Sequence, residues 1–375
     1  MGNTEVAARR LSDTERLDWL RLIRSENVGP ITFSQLLSRF GTAAAALEVL
    51  PDLARRGGRA KPIKICSLAD AEQEMAAIIS AGAMLVAKGE VEYPAALAAI
   101  DDAPPVLTFK GHPHLTRSPL FAIVGARNAS ALGIRFARQI AQELGKRDLV
   151  IVSGLARGID RAAHEGALER GTIAVQAGGI DAIYPPENAE LYQRIADTGL
   201  LVAELAFGTS PKPQHFPRRN RIVSGMCLGV LVVEAANRSG SLITARMAVE
   251  QNREVFAVPG SPLDPRAFGP NDLIRQGATL VRSADDIIEG LSSAMRQPLS
   301  APPLPGIETP PSPPSEADLA PARAQVLEKL GSSPVAVDEI VRQIDGAAQV
   351  VLVVLLELEL AGKLTRHPGN RVSSA

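Results

Sequence analysis

The chain is 375 residues long, 46% hydrophobic and 3% aromatic, with a formal net charge of −1, so it has the apolar mass for a buried core and the length for two or three domains. Its two cysteines, Cys66 and Cys227, are far apart and in no CxxC or Cys/His cluster, which gives no disulfide framework, no zinc site and no sign of another metal or cofactor. The N-terminus is polar and the longest apolar run, Val350 to Leu356, is far too short to cross a bilayer, so the sequence reads as a cytoplasmic protein without a membrane partner.

Residues from about Ser12 to Ala60 read as helices. Ser12 and Glu15 have the spacing of a capping box, and Leu17, Leu20 and Ile23 repeat behind it at helical period. Asn27-Val28-Gly29-Pro30 makes a tight turn, after which Phe33, Leu36, Leu37 and Phe40 repeat at the same period. This arrangement resembles a helix-hairpin-helix, whose turn amides can face a phosphate; a plain helical packing domain whose glycine merely makes the turn accounts for the same residues. Residues 1–90 are assigned to this small domain. Met84 to Ala87 and Val106 to Lys110 are short strand candidates.

From Pro119 the pattern changes. Leu120 to Val124, Leu149 to Val152, Thr172 to Gln176, Leu200 to Glu204, Leu228 to Val233, Glu254 to Val258 and Thr279 to Val281 are short apolar runs alternating with helical segments. Strands without polar alternation are covered on both faces, which predicts an α/β fold over residues 91–296: a mostly parallel sheet with helices on both sides. Ligands in such sheets sit at the carboxyl ends of the strands. The polar loops of this chain lie at those ends.

The first loop, Gly125-Ala126-Arg127-Asn128-Ala129-Ser130, has Ser130 as its N-cap and a cation at its tip, and is a candidate phosphate loop. It lacks the GxGxxG spacing of a dinucleotide site. The second runs from Ser153 and Gly154 to Gly158 and Asp160, and offers an anion its paired glycines. Asp160 reads as a cap or acceptor at the helix start. His164 follows it by one turn, so the pair either hydrogen-bonds along the helix or does acid–base work.

Between Gly208 and Arg246 the chain gathers Lys212, Arg218, Arg219, Arg221, Arg238 and Arg246 around one apolar run, with Glu234 as the only acid. In a nearly neutral chain this is the footprint of a polyanion site. Pro217 suits the first turn of a helix bearing Arg218, Arg219, Asn220 and Arg221, and Phe216 beside them is the stacking candidate. Ser239, Ser241 and Thr244 open another helix with hydroxyls and free amides. An arginine of this stretch forked to Glu234 or Glu204 would instead brace the fold.

The stretches AIVGARNASALG, SGLARGIDRAAHEGAL, IDAIYPPENAEL, HFPRRNRIVSG, VVEAANRSGSLITARMAVEQNREVFAVPG and GPNDLIRQGATLV follow in an order that resembles the DprA/Smf family of DNA-processing proteins over roughly residues 90 to 290. The resemblance implies an extended Rossmann-like fold that binds single-stranded DNA without hydrolysing it. It also implies homodimers formed through this domain, and loading of the recombinase RecA onto incoming strands during natural transformation. Carried onto this chain, it makes Arg127, at the end of Gly125-Ala126-Arg127, a phosphate contact. Phe216 becomes a base-stacking ring and Lys212 a phosphate partner, with Arg218, Arg219, Asn220, Arg221, Ser239, Ser241 and Thr244 as further strand contacts. No residue is assigned a catalytic role.

Residues 297–320 are rich in proline, with three acids and no base, and read as an extended linker. Helices around Arg323 to Leu330, Val337 to Ile344 and Ala347 to Ala361, then a hairpin from Lys363 to Val372, resemble a winged helix over residues 321–375. Its six bases and six acids cancel, so protein contact is as good a reading as DNA binding. Two rival functions stand beside strand binding. One is a nucleotide or phosphoribosyl hydrolase using Asp160, Glu204 or Glu234, and the other is a scaffold that binds no DNA.

Overall fold

The computed structural model describes residues 10–296, 316–344, 347–367 and 369–375. Most of the linker expected at 297–320 therefore lies outside the described residues. The chain divides into two compact units: one contains the large sheet, with Arg10 and the described residues from Glu74 to Arg296, and the other joins Leu11–Gln73 to the described residues from 316 onward. Helix α1 (Asp13–Arg24) starts with the capping box read from the sequence, the Glu15 N–H donating to Ser12 Oγ at 3.3 Å and the Ser12 N–H to the Glu15 carboxylate at 2.9 Å. After the Asn27–Pro30 turn, α2 (Pro30–Phe40) begins with proline in its first turn, and α3 (Ala43–Arg56) closes a core around Phe33, Leu36 and Leu50. The division between the units falls within α4 (Leu68–Ser80).

The sheet unit starts with β1 (Ala83–Ala87), the short helix α5 (Ala95–Ala98) and β2 (Val106–Gly111), so residues 83–90, assigned from sequence to the N-terminal domain, belong to the sheet. There follow β3 (Leu120–Val124), α6 (Ala131–Gly145), β4 (Val150–Ser153), α7 (Ile159–Ala167), β5 (Thr172–Val175), α8 (Ala189–Thr198) and β6 (Leu200–Ala203). The second half comprises α9 (His215–Gly225), β7 (Gly229–Val232), α10 (Gly240–Glu250), β8 (Glu254–Ala257), α11 (Phe268–Arg275), β9 (Thr279–Leu280) and α12 (Ala284–Arg296). The strand order is β1-β2-β6-β5-β4-β3-β7-β8-β9, parallel from β6 to β9, with β2 and β1 added antiparallel at one edge.

The unbroken apolar runs have the expected consequence. Alternate residues of one strand enter different cores: Phe121, Ile123 and Ile151 pack with α6, α7 and α12, while Ala122, Val124 and Val152 pack with α9 and α10. The architecture is the extended Rossmann-like α/β fold with helices on both faces. The chain builds outward from β3 to β6, then crosses to β7 on the other side of β3. Its topological switch point lies at the carboxyl ends of β3 and β7.

In the second unit, α13 (Glu316–Lys329), β10 (Val335–Ala336), α14 (Val337–Gln343), α15 (Ala348–Leu360), β11 (Leu364–His367) and β12 (Arg371–Ser374) make the winged helix, with strands ordered β10-β12-β11. Residues 316–320, counted from sequence as linker, are the first turn of α13.

His164 in α7 answers one open question. Its Nδ1 lies 2.8 Å from Thr172 Oγ1, whose hydroxyl donates to the Ile151 carbonyl at 2.8 Å, so the ring donates from Nδ1. The partner is a threonine on β5 and not Asp160. Burial, with a smaller contribution from the Arg219 charge, pushes the His164 pKa down from 6.5 to about 3. The unfolded chain takes up this proton near pH 6.5 and the folded chain only near 3, so stability present above pH 6.5 is lost as pH falls through that window. Between pH 7 and pH 5 the loss from this group is about 2 kcal/mol. Denaturant titrations at the two pH values should show His164→Gln losing less stability than wild type by about that amount; equal losses would remove His164 as the cause.

Candidate nucleic-acid interface

Several amides of the loops at the switch point are committed to the protein's own carboxylates. Glu234, just past β7, reaches across to the first turn of α6, where it accepts from the Ser130 N–H at 2.8 Å and the Ser130 hydroxyl at 2.5 Å. Ser130 Oγ in turn accepts from the Gly133 N–H at 2.9 Å, and a Cβ at Gly133 would sit 2.6 Å from the Glu234 carboxylate. The position that binds pyrophosphate in a dinucleotide fold is thus filled by an internal anion. Asp160 does the same for the second loop, accepting from the Gly154 N–H at 3.1 Å and the Ala156 N–H at 3.3 Å. Burial raises the Asp160 pKa, opposed by the Arg219 charge and by these two amides.

The glycines join the loops to each other and to α9. A Cβ on Gly125 would meet the Ile159 side chain at 2.7 Å, and Gly158, at φ 72°, packs against the Ala126 carbonyl. Gly154 lies directly beneath the guanidinium of Arg219, which leaves no room for a side chain there. Arg219 extends from α9 onto this floor and is only 7% exposed. Among the described residues it has no hydrogen bond and no ion pair, and its Nε is fully buried without a partner. Burial lowers its pKa to about 10, against the pull of Asp160, so it stays charged at neutral pH.

Arg219 lines two adjoining cavities. One, of about 520 Å³, is walled by Gly154, Gln176, Gly178, Tyr184, Phe216 and Arg157. The other, of about 780 Å³, is walled by Asn220, Arg238, Ser239, Ser241, Thr244 and Arg266. Arg127, Asn128, Ala156, Phe216 and Arg219 belong to both, so the two form one groove with a common wall. On that wall the Arg127 guanidinium lies 5.2 Å from the Phe216 ring centroid, and Tyr184 is tilted against Phe216 at 5.5 Å. Arg157 and Arg266 are paired with Glu187 and Asp264. Arg127, Arg219 and Arg238 have no carboxylate partner among the described residues.

A family model described as DNA recombination-mediator protein A matches residues 84–292, a DprA-like N-terminal HHH domain matches 13–77, and a DprA winged helix domain matches 310–370. The chain is 41% identical over 283 residues to protein Smf of Escherichia coli, covering 75% of this chain and 74% of that one. This chain belongs to the DprA/Smf family. It is also 47% identical over 198 residues to DNA processing protein DprA of Streptococcus pneumoniae, covering 52% of this chain and 70% of that one. The X-ray structure of DprA from Streptococcus pneumoniae matches with a TM-score of 0.61 at 37% identity, over 72% of this chain and 95% of that one. A Helicobacter pylori DNA processing protein A structure, which concerns that protein's single-stranded DNA binding mode, matches with a TM-score of 0.52 at 30% identity, over 56% of this chain and 96% of that one.

Against the DprA/Smf expectations, Arg127, Phe216, Arg219, Asn220, Ser239, Ser241 and Thr244 do meet in the groove, with Gly125, Ala126, Asn128 and Gly154 on its walls. Other assignments are corrected. Arg221 is a brace: only 6% exposed, it is paired with Glu204 at 2.5 Å and donates to the Asp102 carbonyl at 2.7 Å. Burial alone would lower its pKa, but Glu204 and Asp102 outweigh it and raise the value. Ser153 is buried and donates to the Ile123 carbonyl at 2.6 Å, Ser130 is hydrogen-bonded to Glu234, and Gly158 packs on the neighbouring loop, so each is engaged inside the fold. Lys212 is exposed ahead of α9 and does not line the groove, and Arg218 borders a separate small recess with His215.

Tyr184 was not singled out from the sequence as a functional residue. Its signal was an aromatic beside two prolines in a loop after a buried strand, and it is 45% exposed on the groove wall. The bracing role of Arg221 has a direct test. Glu204→Ala leaves a buried guanidinium with only the Asp102 side of its pairing, and the folding free energy should drop by about 3 kcal/mol in denaturant titration. A loss below 1 kcal/mol would mean that Arg221 is not held this way.

Proposed function

We propose that the groove binds single-stranded DNA without chemical turnover, as the DNA-handling step of a DprA/Smf protein. The observation that carries this reading is Arg219: a charged guanidinium, buried and without a partner, on the floor of an open groove. An unpaired buried charge is destabilising by several kcal/mol in isolation, and a phosphate oxygen is the complement that a guanidinium fork suits best. Arg127 and Arg238 add positive charge on either side. The exposed Tyr184 ring, with Phe216 behind it, offers a π face to an unstacked base, worth roughly 1–3 kcal/mol per base.

Selectivity for single strands follows from this pairing of floor and wall. A flexible strand can lay phosphates on Arg219 and Arg127 while turning bases toward Tyr184, whereas a duplex keeps its bases stacked inside. No base edge is read, so sequence preference is weak. The hydrolase alternative lacks a free carboxylate: Asp160 is bonded to two amides, Glu204 to Arg221 and Glu234 to Ser130. Handing the strand to RecA, and pairing two copies so that two grooves act on one strand, belong to the same proposal and draw on the family resemblance.

Arg219→Met separates a ligand-binding arginine from a structural one. Fluorescence anisotropy with a labelled oligothymidylate should show affinity reduced tenfold or more and the slope of log affinity against log salt flattened by about 0.7, while thermal stability is unchanged or higher. Retained affinity with lost stability would make Arg219 a structural residue and sink the reading. Tyr184→Ala should weaken single-strand binding by roughly fivefold or more with the salt slope intact; an unaltered affinity would take Tyr184 out of the stacking role.

A further inference from the structure

The third helix of the winged helix, α15, has no lysine or arginine; its only charged residues are Glu357 and Glu359. In winged helices that read duplex DNA this helix enters the major groove, where cations and amides meet phosphates and base edges. An acidic, apolar helix is repelled there. What α15 does instead is legible from its two faces. Val351, Val354, Leu355 and Leu358 join the winged helix's own core, whereas Leu356 and Leu360, one helical turn apart, join the core of the N-terminal helices with Leu22, Phe33 and Leu50.

Polar contacts fix the same register. Asn27 Nδ2, in the turn before α2, donates to the Leu360 carbonyl at 3.2 Å. Gly57, at the end of α3, lies so close to the Glu357 carbonyl that any Cβ would collide with it. The Glu357 side chain is wholly buried and accepts from Arg323 at 2.6 Å. Arg366 of the wing bonds Glu359 at 2.7 Å and reaches Gln35 of α2 at 3.4 Å. A buried carboxylate set in an apolar contact tolerates few alternative alignments, which makes it a device for register more than for stability.

We infer that α15 is a protein-docking helix whose partner is the N-terminal helical domain of the same chain, and that this winged helix does not read duplex DNA. The first and last segments of the sequence then form one cooperative module, and the strand-binding residues are confined to the sheet unit. The helix that a DNA-reading winged helix exposes is covered here by Leu22, Phe33 and their neighbours.

Hydrogen exchange on the full chain tests the docking. Leu360→Ala removes a side chain from the contact with the N-terminal helices, and Leu358→Ala removes one from the winged helix's own core. With Leu360→Ala, exchange in α3 should rise at least tenfold while the β3, β4 and β7 amides keep their protection; with Leu358→Ala the rise should begin in α13. If α3 is as protected in Leu360→Ala as in wild type, the docking is overturned. The second half is tested by titrating the full chain with a duplex oligonucleotide: the double variant Arg342→Ala, Arg371→Ala should bind within threefold of wild type. A larger loss would overturn the exclusion of duplex reading.

Discussion

The arrangement of this molecule turns on the commitment of loop amides to internal carboxylates. Helix N-termini at the carboxyl edge of a parallel sheet are positive, and in dinucleotide folds they hold pyrophosphate. Here Glu234 occupies the first turn of α6 and Asp160 the loop after β4. Both anions are supplied by the fold, so these particular amides are already engaged. One layer away, on α9, the Arg219 guanidinium lies on Gly154 and, like Arg127 and Arg238, has no carboxylate paired with it among the described residues. In this chain the cations without a carboxylate are side chains, where a dinucleotide fold presents backbone amides.

That difference changes the ligand that fits. A helix N-terminus presents several amides to one phosphate, which suits a compact nucleotide. Separate guanidiniums along a groove of two lobes, with an aromatic edge at their shared wall, suit a chain of phosphates spaced along a flexible strand. The small residues that looked like a phosphate cradle have another use. Gly125 and Gly158 let two loops pack together, and Gly154 makes room for the arginine.

The layered fold was legible because its signals are local: short apolar runs, each ended by a small-residue turn, specify a sheet buried on both faces. The capping box at Ser12 and the hairpin of the wing were equally visible. The roles of individual arginines were not. Arg218, Arg219 and Arg221 are nearly adjacent in sequence yet face a small recess, the groove floor and the acids Glu204 and Asp102 respectively, because successive helical positions point about 100° apart and only tertiary neighbours decide each fate. The internal hydrogen bonds of Ser130 and Ser153 were hidden for a related reason: their partners, Glu234 and the Ile123 carbonyl, are distant in sequence. The union of the first and last segments in one unit was also hidden, since each reads as a separate small domain.

Arg219 is the proposed anchor for a strand phosphate. A crystal structure of the full chain with a short oligothymidylate tests it most directly. A phosphate oxygen is expected within hydrogen-bonding distance of the Arg219 guanidinium, with a base against Tyr184. A strand bound elsewhere, with Arg219 still unpartnered on Gly154, would contradict it.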